Sequence, residues 1–153
     1  MYDKIFGDIF DKVYNNSESI PKIPISLFSI LTLTMLKKSN ECKCGMECGV
    51  SLYEIGYDVG ICLGPKNYEE LKTAFENLGL GEIIFEDNNV IKIKDNPVAK
   101  MIKSEEPINY FTAGILAGAL ESMTSKKVVV KETKCLSQGY DACYFEIIEL
   151  DNY

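Results

Sequence analysis

Six cysteines and no histidine limit the chemistry that this chain of 153 residues can offer. Without imidazole, the most common general base and metal ligand near neutral pH, any metal ion must be held by thiolate and carboxylate. Intracellular thiols are normally reduced, which favours metal binding or packing over disulfides, although a hyperthermophilic source would leave disulfides open. The cysteines are Cys42, Cys44, Cys48, Cys62, Cys135 and Cys143.

The chain is acidic. Sixteen cations, all of them Lys, stand against 23 acids, which gives a formal net charge of -7. An acidic field repels phosphate, and without guanidinium groups there is no bidentate contact to phosphates or guanine edges. We therefore expect no direct binding of nucleic acid.

The sequence contains no pattern typical of a membrane span or a secretory leader. The most apolar stretch, Ile23 to Leu36, is interrupted by Pro24 and four hydroxyl residues, and it is shorter than the roughly 20 residues that a span needs. The first ten residues carry acids and lack a small-residue cleavage pattern. These features predict a cytoplasmic chain with no membrane partner.

Helical spacing of apolar residues dominates the first half of the chain. Asn67 is expected to cap the last helix of this half, and Gly79 to end it. The predicted helices are Tyr2–Tyr14, Ile25–Lys38, a third through Leu52 and Cys62 that ends near Gly64, and Tyr68–Leu78.

The second half combines two hairpins with a helix, and its length allows one domain over residues 1–153. The order of helices, hairpin, helix and hairpin contains no βαβ series. It predicts an α+β fold with N-terminal helices and an antiparallel sheet of two hairpins with a long helix between them. The predicted elements are strands Glu82–Glu86 and Val90–Lys94, a helix from about Glu105 to Met123, and strands Lys127–Thr133 and Cys143–Leu150.

The C-terminal half also carries spaced glycines, an acid and two cysteines. Gly114 and Gly118 form a G-x3-G spacing, Glu132 and Cys135 form E-x2-C, and the loop up to Cys143 reads C-x3-G-x3-C. In this order the motifs resemble the 4-vinyl reductase domain family. Segments 56–60 and 79–83 also resemble it, so that the family-like core covers about residues 48–149, after an N-terminal helical part of about 1–47.

The resemblance implies the fold shared by nitric-oxide-binding haem domains and Golgi transport tethering subunits, and it implies a homodimer. In phenol-sensing activators that contain the domain, a glutamate and three cysteines hold zinc. Carried over to this chain, the resemblance assigns Glu132, Cys135 and Cys143 to a zinc ion. The position of the third family cysteine is occupied by Asn109.

The fourth zinc ligand stays open on sequence alone. Residues three apart on a regular strand face opposite sides, so Glu132 and Cys135 can meet one ion only across a bulge or strand end. The alternative is that Cys135 and Cys143 pack as thiols or form a disulfide across the hairpin. Zinc prefers four ligands, and the last could be water, a ligand atom, the Asn109 amide oxygen, Cys42, Cys44, Cys48 or Cys62.

Two further groups of residues have both a functional and a plain interpretation. The first four cysteines form either a second zinc site or a reduced turn with Cys62 in the core, and the unusual C-x-C-x3-C spacing favours the second. Other side chains line either a ligand pocket between helix and sheet, as the resemblance implies, or a plain core. They are Phe85, Asn109, Tyr110, Phe111, Ile115 and Leu116.

Three functions compete. The leading hypothesis is a homodimeric domain that binds or senses a small hydrophobic or aromatic molecule, with zinc beside the pocket. The second is a tetrapyrrole vinyl reductase or its accessory, although no G-x-G-x-x-G follows a strand and no cluster-type cysteine run supplies electrons. The third is a ligand-free scaffold for dimerisation or tethering. We expect a binding protein rather than an enzyme.

Overall fold

The structure, a computed structural model, describes residues 47–86 and 89–150, with side chains from residue 52 onwards. The helices predicted at Tyr2–Tyr14 and Ile25–Lys38 lie outside these residues. The elements in chain order are helices α1 (Glu47–Leu63) and α2 (Tyr68–Leu78), strands β1 (Glu82–Glu86) and β2 (Val90–Lys94), helices α3 (Pro97–Lys100) and α4 (Tyr110–Thr124), strand β3 (Val128–Lys134), the 3-10 turn Leu136–Gln138, and strand β4 (Cys143–Glu149).

The predicted α+β architecture is confirmed. β1 and β2 form one antiparallel hairpin, β3 and β4 form the other, and β2 pairs with β4, so that the sheet order is β1-β2-β4-β3. α4 connects the two hairpins. In the described part of the chain, none of the helices has the length and apolar character that crossing a membrane requires.

Local sequence signals fix α2 and the first hairpin at their predicted bounds. The Asn67 side chain accepts a hydrogen bond of 2.9 Å from the Glu70 N–H, which caps the first turn of α2. Gly79 ends this helix in the left-handed conformation at φ 69°, where a residue without Cβ is favoured. α1 also ends as predicted, at Leu63 beside Gly64.

The helix predicted to begin at Glu105 begins at Tyr110 instead. Pro107 lacks an N–H and disfavours helical backbone at the residue before it. The Ser104 hydroxyl accepts a bond of 3.1 Å from the Glu106 N–H and donates one of 2.7 Å to the Glu106 carbonyl, which holds this segment in a turn. The sequence prediction extended the helix through a segment that folds as a loop.

The short helix α3 and the 3-10 turn were missed. Asn96 precedes Pro97, and this pair is a helix-start signal that the sequence offered. The Asn96 side chain accepts a 3.0 Å bond from the Ala99 N–H, and Asn96 itself is buried. The 3-10 turn lies in the loop that was treated as irregular.

One face of the sheet is covered by α4. Residues paired across antiparallel strands point to the same face. Phe85, Ile91, Phe145 and Glu132 therefore form one row across all four strands, and every residue of this row except Phe85 is buried. α4 is buried continuously from Thr112 to Leu120, so that it forms the centre of the domain.

Four glycines bring α1 and α4 into backbone contact. Gly56 and Gly60 of α1 face α4, and Gly114 and Gly118 of α4 face α1. A β-carbon at Gly118 would lie 2.8 Å from the Ile61 nitrogen and would also strike the Tyr57 carbonyl. Because the obstruction is backbone, it cannot turn away as a side chain could.

We expect Gly118→Ala to destabilise the domain by about 2 kcal/mol, within the range of overpacking effects. Alanine would raise helix propensity by about 1 kcal/mol at a free position, so the sign of the change reports the packing. Urea unfolding measures it. Ser122→Ala, on the exposed side of the same helix, is the control and should change stability by less than about 0.5 kcal/mol. Equal stability of the Gly118 variant and the wild type would contradict the close packing.

Candidate metal centre

A β-bulge places Glu132 and Cys135 on the same side of the sheet. Glu132 and Lys134 pair with consecutive residues of β4, and the pairing skips Thr133. Because the extra residue shifts the alternation by one, Glu132 and Cys135 both face inward although they are three apart. The condition that the sequence set for a common site is therefore met.

Two sulfurs and a carboxylate converge at one buried point. The Sγ atoms of Cys135 and Cys143 lie 3.6 Å apart, and both side chains are fully buried. One carboxylate oxygen of Glu132 and the two sulfurs all lie within 4.8 Å of one another. The structure thus brings together the three residues that the sequence singled out.

The Glu132 carboxylate is held by the backbone at the start of α4. Its Oε2 accepts hydrogen bonds of 2.8 Å from the Ile108 N–H and 3.0 Å from the Asn109 N–H. A carboxylate is favoured here because the N-terminal end of a helix carries partial positive charge. With Oε2 satisfied, Oε1 faces the Asn109 amide and the sulfurs.

Asn109 contacts all three members of the cluster. Its Nδ2 lies 2.5 Å from Oε1 of Glu132, 3.3 Å from Sγ of Cys135 and 3.4 Å from Sγ of Cys143. The residue is 2% exposed, and its Oδ1 has no hydrogen-bond partner among the described residues. The position that the sequence marked as a departure from the family is therefore part of the site.

Ser137 is a site residue that the sequence analysis missed. It lies in the 3-10 turn after β3, and its hydroxyl donates a 2.9 Å hydrogen bond to Sγ of Cys135. The hydrogen bond with Cys143 and this second bond lower the pKa of the Cys135 thiol. The same pairing and burial raise the pKa of the Cys143 thiol. Only the position of Ser137 between the two cysteines pointed to it in the sequence.

The donor set fits a zinc ion. Two sulfurs held about 2.3 Å from a tetrahedral zinc lie roughly 3.8 Å apart, close to the 3.6 Å between Cys135 and Cys143. Two thiolates and a carboxylate carry three negative charges, and leaving them buried without a cation would cost several kcal/mol each. A divalent, thiophilic cation balances most of this charge, which a hard cation such as Mg²⁺ would not do as well.

The residues predicted to line a pocket do not form one continuous group. Phe85 lies on edge strand β1, where its ring packs against Tyr68 with centroids 4.4 Å apart. Tyr110 is exposed and Phe111 is half-buried at the start of α4. Ile115 and Leu116 are fully buried in the core. The pocket stays a prediction.

Cys62 lies on the exposed side of α1, so the prediction that it belongs to the core is wrong. The buried side of this helix is set by Gly56 and Gly60, which contact α4, and a residue two positions after Gly60 points away from it. Cys42, Cys44 and the side chain of Cys48 lie outside the described residues, so the second zinc site also stays a prediction.

Comparison with known proteins identifies the family. The family model of the 4-vinyl reductase domain matches residues 89–149. The chain is 42% identical to the Methanocaldococcus jannaschii protein MJ1460, over 97% of this chain and 95% of the relative. A crystal structure of a vinyl-4-reductase family protein from the same organism is 37% identical, with a TM-score of 0.74 and 96% of each chain covered. This chain belongs to the 4-vinyl reductase domain family.

Two more distant structures share the fold. The phenol-responsive sensory domain of the transcription activator PoxR, solved with phenol, matches 88% of this chain and 78% of its own with a TM-score of 0.64 at 12% identity. Subunit 3 of a trafficking protein particle complex from Naegleria fowleri, covalently bound to palmitic acid, matches 82% of this chain and 94% of its own with a TM-score of 0.57 at 15% identity. The predicted relation to tethering subunits and phenol sensors holds at the level of the fold.

Glu132→Ala is expected to destabilise the metal-free protein by about 3 kcal/mol. The change leaves the Ile108 N–H, the Asn109 N–H and the Asn109 amide without their acceptor, and an unpaired buried donor costs about 1 to 3 kcal/mol. Urea unfolding in a chelator measures the change. The control is Thr133→Ala, one residue along the same strand and exposed, for which we expect less than about 1 kcal/mol. Equal losses in the two variants would show that the carboxylate does not anchor α4.

Proposed function

We propose that this domain holds a zinc ion through Glu132, Cys135 and Cys143, and that it binds or senses a small hydrophobic molecule as a homodimer. The observation that carries the metal part is the convergence of the carboxylate and the two sulfurs at one buried point. A bulge, a 3-10 turn and a helix start all contribute to that convergence. Packing alone would not require a charged side chain there.

Within this proposal each protein group has a separate task. The two sulfurs bind the ion, and the Ser137 hydroxyl stabilises the thiolate form of Cys135. The backbone N–H groups of Ile108 and Asn109 hold Oε2 of Glu132, which leaves Oε1 as the ligand atom. Such outer contacts orient metal ligands and typically change affinity 10- to 100-fold. When bound, zinc supplies charge balance and an electrophilic centre.

The ligand part of the proposal rests on the start of α4 and on related structures. Tyr110 and Phe111 flank the metal centre directly after Asn109, so that an aromatic molecule held by them would lie next to the ion. The PoxR sensory domain and the trafficking subunit share the fold, and the names of their structures include phenol and palmitic acid. Both are hydrophobic molecules. This supports the binding of a related class of ligand here.

A ligand-free scaffold is the second candidate. The observation that favours it is the burial of Ile115 and Leu116, which are 1% and 0% exposed in the same cluster as the sheet residues. Side chains that pack into the core in this way serve stability rather than recognition. The two candidates differ in what added small molecules do to the domain.

Zinc content tests the metal part. We expect one zinc per chain in the purified wild type and loss of most of it in Cys135→Ser, because a serine hydroxyl replaces a thiolate ligand. Elemental analysis alongside protein quantification measures the ratio. Cys62→Ser is the matched control, since it removes an exposed cysteine of α1, and it should retain the wild-type content. Zinc-free wild type, or equal loss in both variants, would contradict the proposed site.

Thermal unfolding with added ligands tests the sensing part. We expect phenol or palmitate, used as probes, to raise the Tm of the zinc-loaded protein, because a ligand of the folded state stabilises it by about 2.7 kcal/mol at 100 times its Kd. Native mass spectrometry of the same samples should give the mass of a dimer with the bound probe. An unchanged Tm with both probes and no adduct would favour the scaffold, and a monomer mass would contradict the dimer.

A further inference from the structure

We propose that Asn109 is the fourth metal ligand, and that its amide has two positions. With metal bound, Oδ1 faces the ion. Without metal, Nδ2 takes the same place and donates hydrogen bonds to the carboxylate and the sulfurs. This inference rests on the proposed zinc site at Glu132, Cys135 and Cys143, and it says what this chain uses where its family resemblance implies a cysteine.

The first argument is the position of the amide. A sulfur and an oxygen that share a tetrahedral zinc lie roughly 3.5 Å apart, from bond lengths of about 2.3 and 2.0 Å. The amide atom that faces the cluster lies 3.3 and 3.4 Å from the two sulfurs, and these sulfurs lie 3.6 Å from each other. Three edges of the expected tetrahedron are therefore already present, and Asn109 stands at its fourth corner.

The second argument is an imbalance of donors and acceptors at Asn109. The NH₂ group has two hydrogens, but it faces one carboxylate oxygen and two sulfurs. Its Oδ1 is buried without a hydrogen-bond partner among the described residues, although such an oxygen normally has one. The amide is therefore held by the negative charge of the cluster rather than by a full set of hydrogen bonds.

A half-turn about the Cβ–Cγ bond exchanges Oδ1 and Nδ2 with almost no change in shape. In the absence of a cation this turn would place Oδ1 against Oε1 of Glu132, oxygen against oxygen, so the Nδ2-inward position is favoured. A cation between the two oxygens reverses the preference. The orientation of the amide thus follows the occupancy of the site.

The backbone of Asn109 is fixed while its side chain is free of other duties. Its N–H donates to Glu132, and its carbonyl accepts a 2.9 Å bond from the Ala113 N–H. Asparagine at the start of a helix usually caps it through the side chain, yet Asn109 makes no such bond to α4. Because Glu132 satisfies the helix start instead, the amide remains available to the metal.

A neutral fourth ligand has a predictable effect on affinity. With Asn109 the ligands leave the divalent ion one excess negative charge, and a cysteine at this position would add a second charge and a more thiophilic donor. With alanine at this position, water must complete the coordination. The affinity should therefore increase from Asn109→Ala to the wild type to Asn109→Cys.

Co²⁺ titration of the metal-free chain, followed by absorption, tests this order, since four-coordinate Co²⁺ absorbs far more strongly in the visible than five- or six-coordinate Co²⁺. We expect Asn109→Ala to bind at least tenfold more weakly with weaker visible bands. Asn109→Cys should bind at least tenfold more tightly, with stronger sulfur-to-metal charge transfer. The matched control is Asn67→Ala, which removes the asparagine cap of α2 away from the site and should titrate like the wild type.

A second measurement follows the amide itself. In ¹H–¹⁵N spectra the side-chain NH₂ signal of Asn109, assigned by its loss in Asn109→Ala, should move on zinc binding, while that of Asn67 should not. Wild-type affinity and spectrum in Asn109→Ala would overturn the role of Asn109 and leave the three-residue site intact. No uptake of Co²⁺ by the wild type would overturn both proposals.

Discussion

The contact between the Glu132 carboxylate and the backbone at the start of α4 determines the arrangement of the candidate site. It joins the end of β3 to the first residues of α4 through the N–H groups of Ile108 and Asn109. The helix start obtains a negative charge, which the helix dipole favours, and the carboxylate obtains two fixed donors. Because both partners are largely buried, neither can exchange the other for water without loss of stability.

The other constraints bring the remaining groups to this contact. The glycine pairs of α1 and α4 let the two backbones touch, which fixes the position of α4 over the sheet. The bulge at Thr133 turns Cys135 inward, and the pairing of β4 with β2 sets Cys143 beside it. The site therefore depends on packing distant from it as well as on its own residues.

Much of the framework could be predicted from the sequence because its signals are local. The asparagine cap and terminating glycine of α2 and the alternation of β1 and β2 gave bounds that agree with the structure. The three proposed ligands came from a spaced motif, and the structure brings them together.

What the sequence could not give depends on contacts between distant residues. The start of α4 at Tyr110 reflects Pro107 and the capture of the Asn109 backbone by Glu132, which lies 23 residues later. The thiol contact of Ser137 and the place of Asn109 within the cluster likewise appear only once the hairpin and helix are assembled. Exposure of Cys62 follows from which side of α1 meets α4, which periodicity alone did not decide.

X-ray absorption at the zinc edge of the zinc-loaded protein tests the central claim most directly, because it reports the number and type of atoms around the ion. Two sulfurs at about 2.3 Å and two oxygens at about 2.0 Å are predicted. Three or four sulfurs would show that other cysteines complete the site. A first shell without sulfur would show that Cys135 and Cys143 do not bind the metal, and either result would contradict the account.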